Sequence, residues 1–294
     1  MRTSEELIAA WKSVASLSSQ QVENDISPRD LAAIHANTEE TIAWLRELAE
    51  GNGASAPALH IETTGRRWSP GLRLAAFRAL LPELATLDND EGVVFGLVRE
   101  IDDDLIRDFV ASDYIAILAA KHLFVRAQTA INFLEFAHPP IRCKALLAIA
   151  SASHEPRDLF AARSSADRLT SIDKVRAYMD IYMFTRDSDD LFLARETAKQ
   201  LEPPARRIAY EHIALATNEA DDYLKALGAA ESITDDAVRF KAVRGVLSTI
   251  ADRFSLTSKS AISKETFRAI VASPKLDKYP AWRKSALGLL GENN

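Results

Sequence analysis

The sequence predicts an all-α protein, a right-handed α-α superhelix (solenoid) of about six helical hairpins with a period of about 32–35 residues. Three observations carry this expectation. One stretch, Arg142-Cys143-Lys144-Ala145-Leu146, returns as Lys174-Val175-Arg176-Ala177-Tyr178 and again as Arg206-Arg207-Ile208-Ala209-Tyr210, at one constant step along the chain. Each copy is followed by a second apolar stretch at helical spacing, Leu159…Ala162…Ala166…Leu169, then Leu191…Ala194…Ala198…Leu201, then Tyr223…Ala226…Ala230…Ile233. The 294 residues contain only 10 Gly and 11 Pro, and much of the 47% hydrophobic content is alanine, the strongest helix former.

Taken in order, residues 1–50 read as an N-terminal helical cap. Leu7, Ile8, Trp11 and Val14 share one face of a helix over 4–17; Ser27-Pro28 opens a second helix; Thr38-Glu39-Glu40-Thr41 opens a third that stops at Gly51. Residues 51–71 form a long loop or linker, of a length that is uncommon inside a compact domain and tends to be functional. Residues 72–254 carry the repeats, anchored on Phe77, Val110, Ala145, Ala177, Ala209 and Ala242 at steps of 33, 35, 32, 32 and 33. The longest step contains the extra turn His138-Pro139-Pro140. Residues 255–294 are an irregular capping segment, in which Trp282 to Leu287 restates the first-helix pattern without a second helix. Asp90, Asp158, Asp190 and Asp222 stand just ahead of the second helices and are expected to cap them. The alanine pairs, such as Ala194/Ala198 and Ala226/Ala230, are expected to let paired helices approach closely.

The run Ala198-x-x-Leu201-x-Pro203 matches the end of a tetratricopeptide unit, and the array over about residues 72–254 resembles the tetratricopeptide-like and HEAT-like α-solenoid superfamily in architecture. The Trp-x-x-Leu-Gly opening and the longer, regular period of the tetratricopeptide repeat are absent. The resemblance implies a superhelix that binds proteins or peptides in its concave groove.

Bulk properties narrow the partners. A net charge of −6 and a pI near 5.6 argue against a general nucleic-acid binder, which needs a basic surface to displace counterions. The single cysteine, Cys143, permits no internal disulfide. Met1 to Ser19 lacks the basic start and unbroken apolar stretch of a signal peptide. The longest apolar runs fall far short of the roughly 20 residues that span a bilayer. A soluble, cytoplasmic protein is expected.

The candidate partner-binding residues fall in two groups. Arg107, Arg142, Lys174, Arg206 and Arg239 recur three places before their anchors, with Arg283 in the last helix and Arg73 in the same place if Ala76 is the anchor. Such a column could capture an acidic peptide, because guanidinium forks suit carboxylates. The preferred reading is that the acids beside it bind it in ion pairs between neighbouring helices: Asp102 to Asp104, Asp173, Glu202, Asp235 and Asp236. Arg66, Arg67 and Trp68 form the second group, in the long loop, where no helix accounts for them; the alternative is a loop folded over the array with Trp68 as its anchor. Tyr178, Tyr182, Tyr210 and His212 cluster on equivalent first helices, but Tyr178 and Tyr210 hold the slot of Leu146 and Val243 and read as core. No metal-ligand spacing joins the six histidines, and no phosphate loop, nucleophile elbow or Cys-x-x-Cys is present. The expectation is a non-enzymatic protein- or peptide-binding solenoid without cofactor or metal, acting as scaffold, adaptor or chaperone-like module. The alternatives are a HEAT-like nucleic-acid binder, a peptide-sensing regulator, and last an enzyme whose site lies in the groove.

Overall fold

The structure, a computed structural model, describes residues 91–255 and 262–291, together with Ile8, Lys12, Leu74, Phe77, Arg78, Leu81, Pro82, Leu84 and Ala85. The helices expected in residues 1–50, the 51–71 loop with Arg66, Arg67 and Trp68, and the positions Arg73 and Asp90 lie outside the described residues.

All regular structure among the described residues is helical. The α-helices are α1 (Glu91–Arg99), α2 (Asp104–Ala120), α3 (Phe124–Phe133), α4 (Pro139–Ser153), α5 (Pro156–Asp167), α6 (Ser171–Thr185), α7 (Ser188–Lys199), α8 (Pro203–Thr217), α9 (Ala220–Glu231), α10 (Asp236–Ser255), α11 (Lys264–Ala272) and α12 (Pro280–Leu290), with a 3-10 turn over Pro274–Lys278. The central elements keep the sequence period to the residue. The first helices α4, α6 and α8 are 15 residues each, and the second helices α5, α7 and α9 are 12 each.

Local chemistry explains these boundaries. Prolines open α4, α5 and α8, where the missing N–H has no intrahelical partner to lose. Each first helix ends on a left-handed residue: His154 at φ 56°, Arg186 at 57° and Asn218 at 59°. The N–H of each closes on a carbonyl four residues back, at Ala150, Tyr182 and Ala214. His and Asn tolerate this conformation better than most side chains.

The chain divides into two compact units, Met1–Ala162 and Arg163–Asn294, the division falling within α5. In the first unit α2 packs on α3 and α4, and α1 packs on α2 and α3. Its core includes Phe77, Val98, Ile101, Val110, Tyr114 and Leu118, all buried. In the second unit α6 pairs with α7 and α8 with α9; α6 lies along α8, and α10 and α11 pack on α9. The expected alanine contacts are present: Ala162, Ala166, Ala194, Ala198, Ala226 and Ala230 are fully buried. So are the anchors Phe77, Val110, Ala145 and Ala209, and Ala177 is buried as well. Ala242 is half-buried. No helix among the described residues is long and apolar enough to cross a membrane.

Candidate interaction surface

A surface available to a partner is found by first removing the polar groups that the fold itself uses. One such group is a set of carboxylates expected to be helix caps. Asp158, Asp190 and Asp222 are each the third residue of their helix, and the residues ahead of α7 and α9 are Asp187 and Glu219. Asp187 is the residue that caps, accepting from the Asp189 N–H at 3.0 Å. That bond, and then Arg163, hold its carboxyl below the usual carboxylate value.

The three inner aspartates do something else. Asp190 is 1% exposed and Asp222 is 0% exposed, so each carboxylate is out of water and needs partners. Arg163 donates from Nε to Asp190 Oδ1 at 2.9 Å and from Nη2 to Oδ2 at 2.6 Å, and also reaches Asp187 at 2.7 Å. One hairpin on, Arg195 grips Asp222 in the same way at 3.2 and 2.6 Å and reaches Glu219 at 2.7 Å. A hydroxyl completes each site. Thr185 Oγ1 is 2.9 Å from Asp190 and Thr217 Oγ1 is 3.1 Å from Asp222, and the same oxygens accept the N–H groups of Asp187 and Glu219. In the first unit Gln128 Nε2 donates to Asp158 at 3.0 Å and Ser153 Oγ at 2.7 Å. Each clasp ties the second helix of one hairpin to the turn of the next. Gln128, Arg163 and Arg195 hold one position relative to the anchors Val110, Ala145 and Ala177. Ser153, Thr185 and Thr217 hold another relative to Ala145, Ala177 and Ala209. These residues were missed in the sequence although they repeat with the anchors. The column three before the anchor is equally regular, and periodicity alone does not say which regular polar position is buried.

That basic column is engaged with backbone and with nearby acids. Lys174 Nζ donates to the Asp167 carbonyl at 3.1 Å, Arg206 Nε to the Leu201 carbonyl at 2.9 Å, and Arg239 Nη1 to the Ile233 carbonyl at 3.1 Å. Each of these carbonyls lies at or just past the end of the preceding second helix, where backbone acceptors are left over and the dipole favours a cation. Acids join in: Arg107 pairs with Asp104 at 2.6 Å, Lys174 with Asp167 at 3.6 Å, and Arg239 with Asp236. Arg283 likewise pairs with Asp277. Arg142 is half-buried and its guanidinium makes no hydrogen bond or ion pair among the described residues. Tyr178 and Tyr210 are buried, and burial raises the pKa of both phenols; the Tyr178 hydroxyl also donates to Asp167 at 2.5 Å. Cys143 is buried, with its Sγ 3.6 Å from the Ala162 carbonyl.

Among the groups these contacts leave exposed in the second unit is a strip on the packed first helices α6 and α8; Phe192, Leu193, Val238, Phe240 and Leu289 are exposed elsewhere in that unit. Met183 is 46% exposed and Leu215 is 37% exposed, and they occupy the same repeat position, six past Ala177 and six past Ala209. Arg176, Asp180, Glu211 and His212 lie on the same two helices. Burial lowers the His212 pKa first; the charge of Arg176 adds to this and that of Asp180 opposes it. Burial raises the Glu211 pKa against the pull of Arg207, which holds its two oxygens at 2.7 and 2.8 Å. No group of three or more His, Cys, Asp or Glu among the described residues has the arrangement to hold a metal ion. Comparison of the chain with protein-family models, with curated proteins and with solved structures returned no match.

Proposed function

We propose that this chain is a protein- or peptide-binding α-solenoid of the tetratricopeptide-like or HEAT-like kind, a scaffold, adaptor or chaperone-like module whose hairpins wind into a superhelix. The observation that carries the reading is the α6–α8 strip. Large apolar side chains are exposed at one repeat position on two packed helices, Met183 and Leu215, with charged residues of both signs within a turn of them, Asp180 and Arg186 at Met183 and Glu211 at Leu215. A methionine can reshape to fit an irregular partner, and a mixed apolar and charged strip suits an extended or helical peptide. In this reading Lys174, Arg206 and Arg239 act indirectly, by holding the helix ends that set the spacing of the strip.

The test is a peptide-display selection against the full chain, followed by titration of the enriched peptides into the purified protein. Met183→Glu with Leu215→Glu is expected to weaken binding about tenfold or more, a loss of roughly 1.4 kcal/mol or more, while the helical signal stays unchanged. Selection that enriches no sequence, or peptides that bind the double variant as well as the parent, refutes the reading.

A further inference from the structure

The last first helix, α10, differs from its predecessors in a way that leaves one face bare. α4, α6 and α8 turn nine positions past their anchors, at His154, Arg186 and Asn218. The corresponding residue of α10 is Ala251, which is helical, and α10 continues to Ser255, 20 residues in all. No antiparallel helix of its own hairpin follows among the described residues. Six residues separate Ser255 from Ile262, against the 12 of each second helix, and α11 packs on α9 instead. There Thr266 Oγ1 donates to the Asn218 carbonyl at 3.1 Å and Lys275 Nζ to the Leu224 carbonyl at 3.4 Å. α11 and α12 meet α10 towards its C-terminal half, where Phe254 stacks on Phe267 at 4.0 Å and Trp282 Nε1 donates to the Leu247 carbonyl at 3.2 Å.

The N-terminal half of α10 shows the consequence. Phe240 is 70% exposed, although its repeat position is buried at Cys143 and Val175, and Cys143 faces the second helix of its own hairpin. Four positions on, Arg244 is exposed where Met179 is buried and Leu147 and Glu211 are half-buried. At about 100° per residue, Phe240 and the 50% exposed Val238 lie at the two edges of one face, with Arg244 and Lys241 between them. Lys241 and Arg244 are both exposed and make no hydrogen bond or ion pair among the described residues, in a chain whose net charge is −6. Arg239 beside them, by contrast, is paired with Asp236. Two like charges three apart on a helix repel each other until an anion arrives.

We propose that the N-terminal half of α10 is a docking face for an acidic amphipathic helix donated by another protein, which takes the position that a second helix holds in the hairpins before it. Its apolar side would cover Phe240 and Val238, and its carboxylates would meet Lys241 and Arg244. The chain's own second helices have this character: α7 carries Asp189 and Asp190 in its first turn, α9 carries Asp221 and Asp222, and both bury an alanine face. The face is separate from the α6–α8 strip, so the two readings stand or fall apart.

The probe is a fluorescent, side-chain-stapled helix with the sequence of residues 219–233, titrated by anisotropy into the full-length protein. Saturable binding is expected, weakened at least tenfold by Phe240→Ala and by Lys241→Glu with Arg244→Glu, and unchanged by Met183→Glu with Leu215→Glu. The same peptide carrying Asp221→Lys and Asp222→Lys should lose binding to the unaltered protein, a comparison that does not depend on how any variant folds. Absence of saturable binding, or equal binding by the parent and the α10 variants, overturns the proposal. Concentration-dependent dimers of the unaltered chain that Phe240→Ala abolishes would also overturn it, because the occupant would then be a second copy.

Discussion

The hairpins α6/α7 and α8/α9 and the end of the chain at α10 to α12 are built on the same repeat but closed by different means. Between the two hairpins the join is ionic: Arg195 crosses to the buried Asp222 and to Glu219. After α9 the join is apolar at the position Arg195 holds in α7, although Glu231 farther along α9 still meets Lys278 at 3.4 Å and the Tyr279 hydroxyl at 2.8 Å. Leu227 holds in α9 the repeat position that Arg195 holds in α7, and it is fully buried on the helix that α11 packs against; α11 in turn buries Phe267, Ile270 and Val271. The aspartate position of the next hairpin, placed from Ala242 as Asp222 is from Ala209, is Ser255. Donor and acceptor are therefore lost together. A buried charge is tolerable only when its partner arrives from the neighbouring hairpin, so the repeat drops both where there is no neighbour of the same kind. The clasp acts as a register mark between hairpins, and leucine at its position in α9 marks the change of join that follows.

The largest effect should come from forcing one kind of join onto the other. Leu227→Arg puts a guanidinium at a buried position with no carboxylate at Ser255 to meet it. It is expected to destabilise the protein by about 3–5 kcal/mol, read as a lowered urea midpoint. An effect below about 1 kcal/mol would break the contrast between the two joins.

Next in size is removal of the clasp itself. Arg195→Leu strands the Asp222 carboxylate with Thr217 and Lys225, the latter at 3.6 Å, and should cost about 3 kcal/mol. Adding Asp222→Asn should recover part of that loss, since a neutral amide is cheaper to bury than an unpaired charge. Strictly additive losses would mean that the two residues do not act as a pair.

The smallest effect is a pH dependence within α8. His212 has its folded pKa below the ordinary 6.5, so acidification protonates the unfolded chain first. Its contribution to stability is present above about pH 6.5 and is lost as the pH falls from there towards the folded pKa. Glu211 has the opposite sign: its folded pKa lies above 4.5, so the folded form gains relative stability as the pH falls towards 4.5. His212→Gln should flatten the fall in urea midpoint between about pH 7 and 5.5 and leave the rise from Glu211. The same pH profile in parent and variant would remove His212 from the α6–α8 strip as a titrating group.

Much of the helical framework was legible in the chain. The first helices α4, α6 and α8 and the second helices α5, α7 and α9 start at the predicted constant step, and the alanines predicted as contact faces are buried. The reason is that a close-packed helix pair admits only small residues where backbones approach, which leaves a strict mark at every turn. Polar roles were less legible. Asp158, Asp190 and Asp222 read as caps because they fall near helix starts. A shift of three positions makes them inner carboxylates, and sequence spacing fixes a helix boundary only to within a few positions. Arg163 and Arg195 carry the same periodic signal as Lys174 and Arg206, yet one pair meets buried aspartates and the other meets helix-end carbonyls.

By itself the sequence determined the helical class, the period, the small-residue contact faces and the weakening of the pattern after Ala242. All of these depend on local propensity and on the spacing of apolar groups along one strand of chain. The tertiary structure alone decided which arginine meets which carboxylate, that α11 lies on α9, and that Phe240, Lys241 and Arg244 are left facing solvent. Those outcomes depend on which residues from different hairpins come within about 3 Å of one another, and hydrogen bonds and ion pairs act over distances that periodicity does not encode.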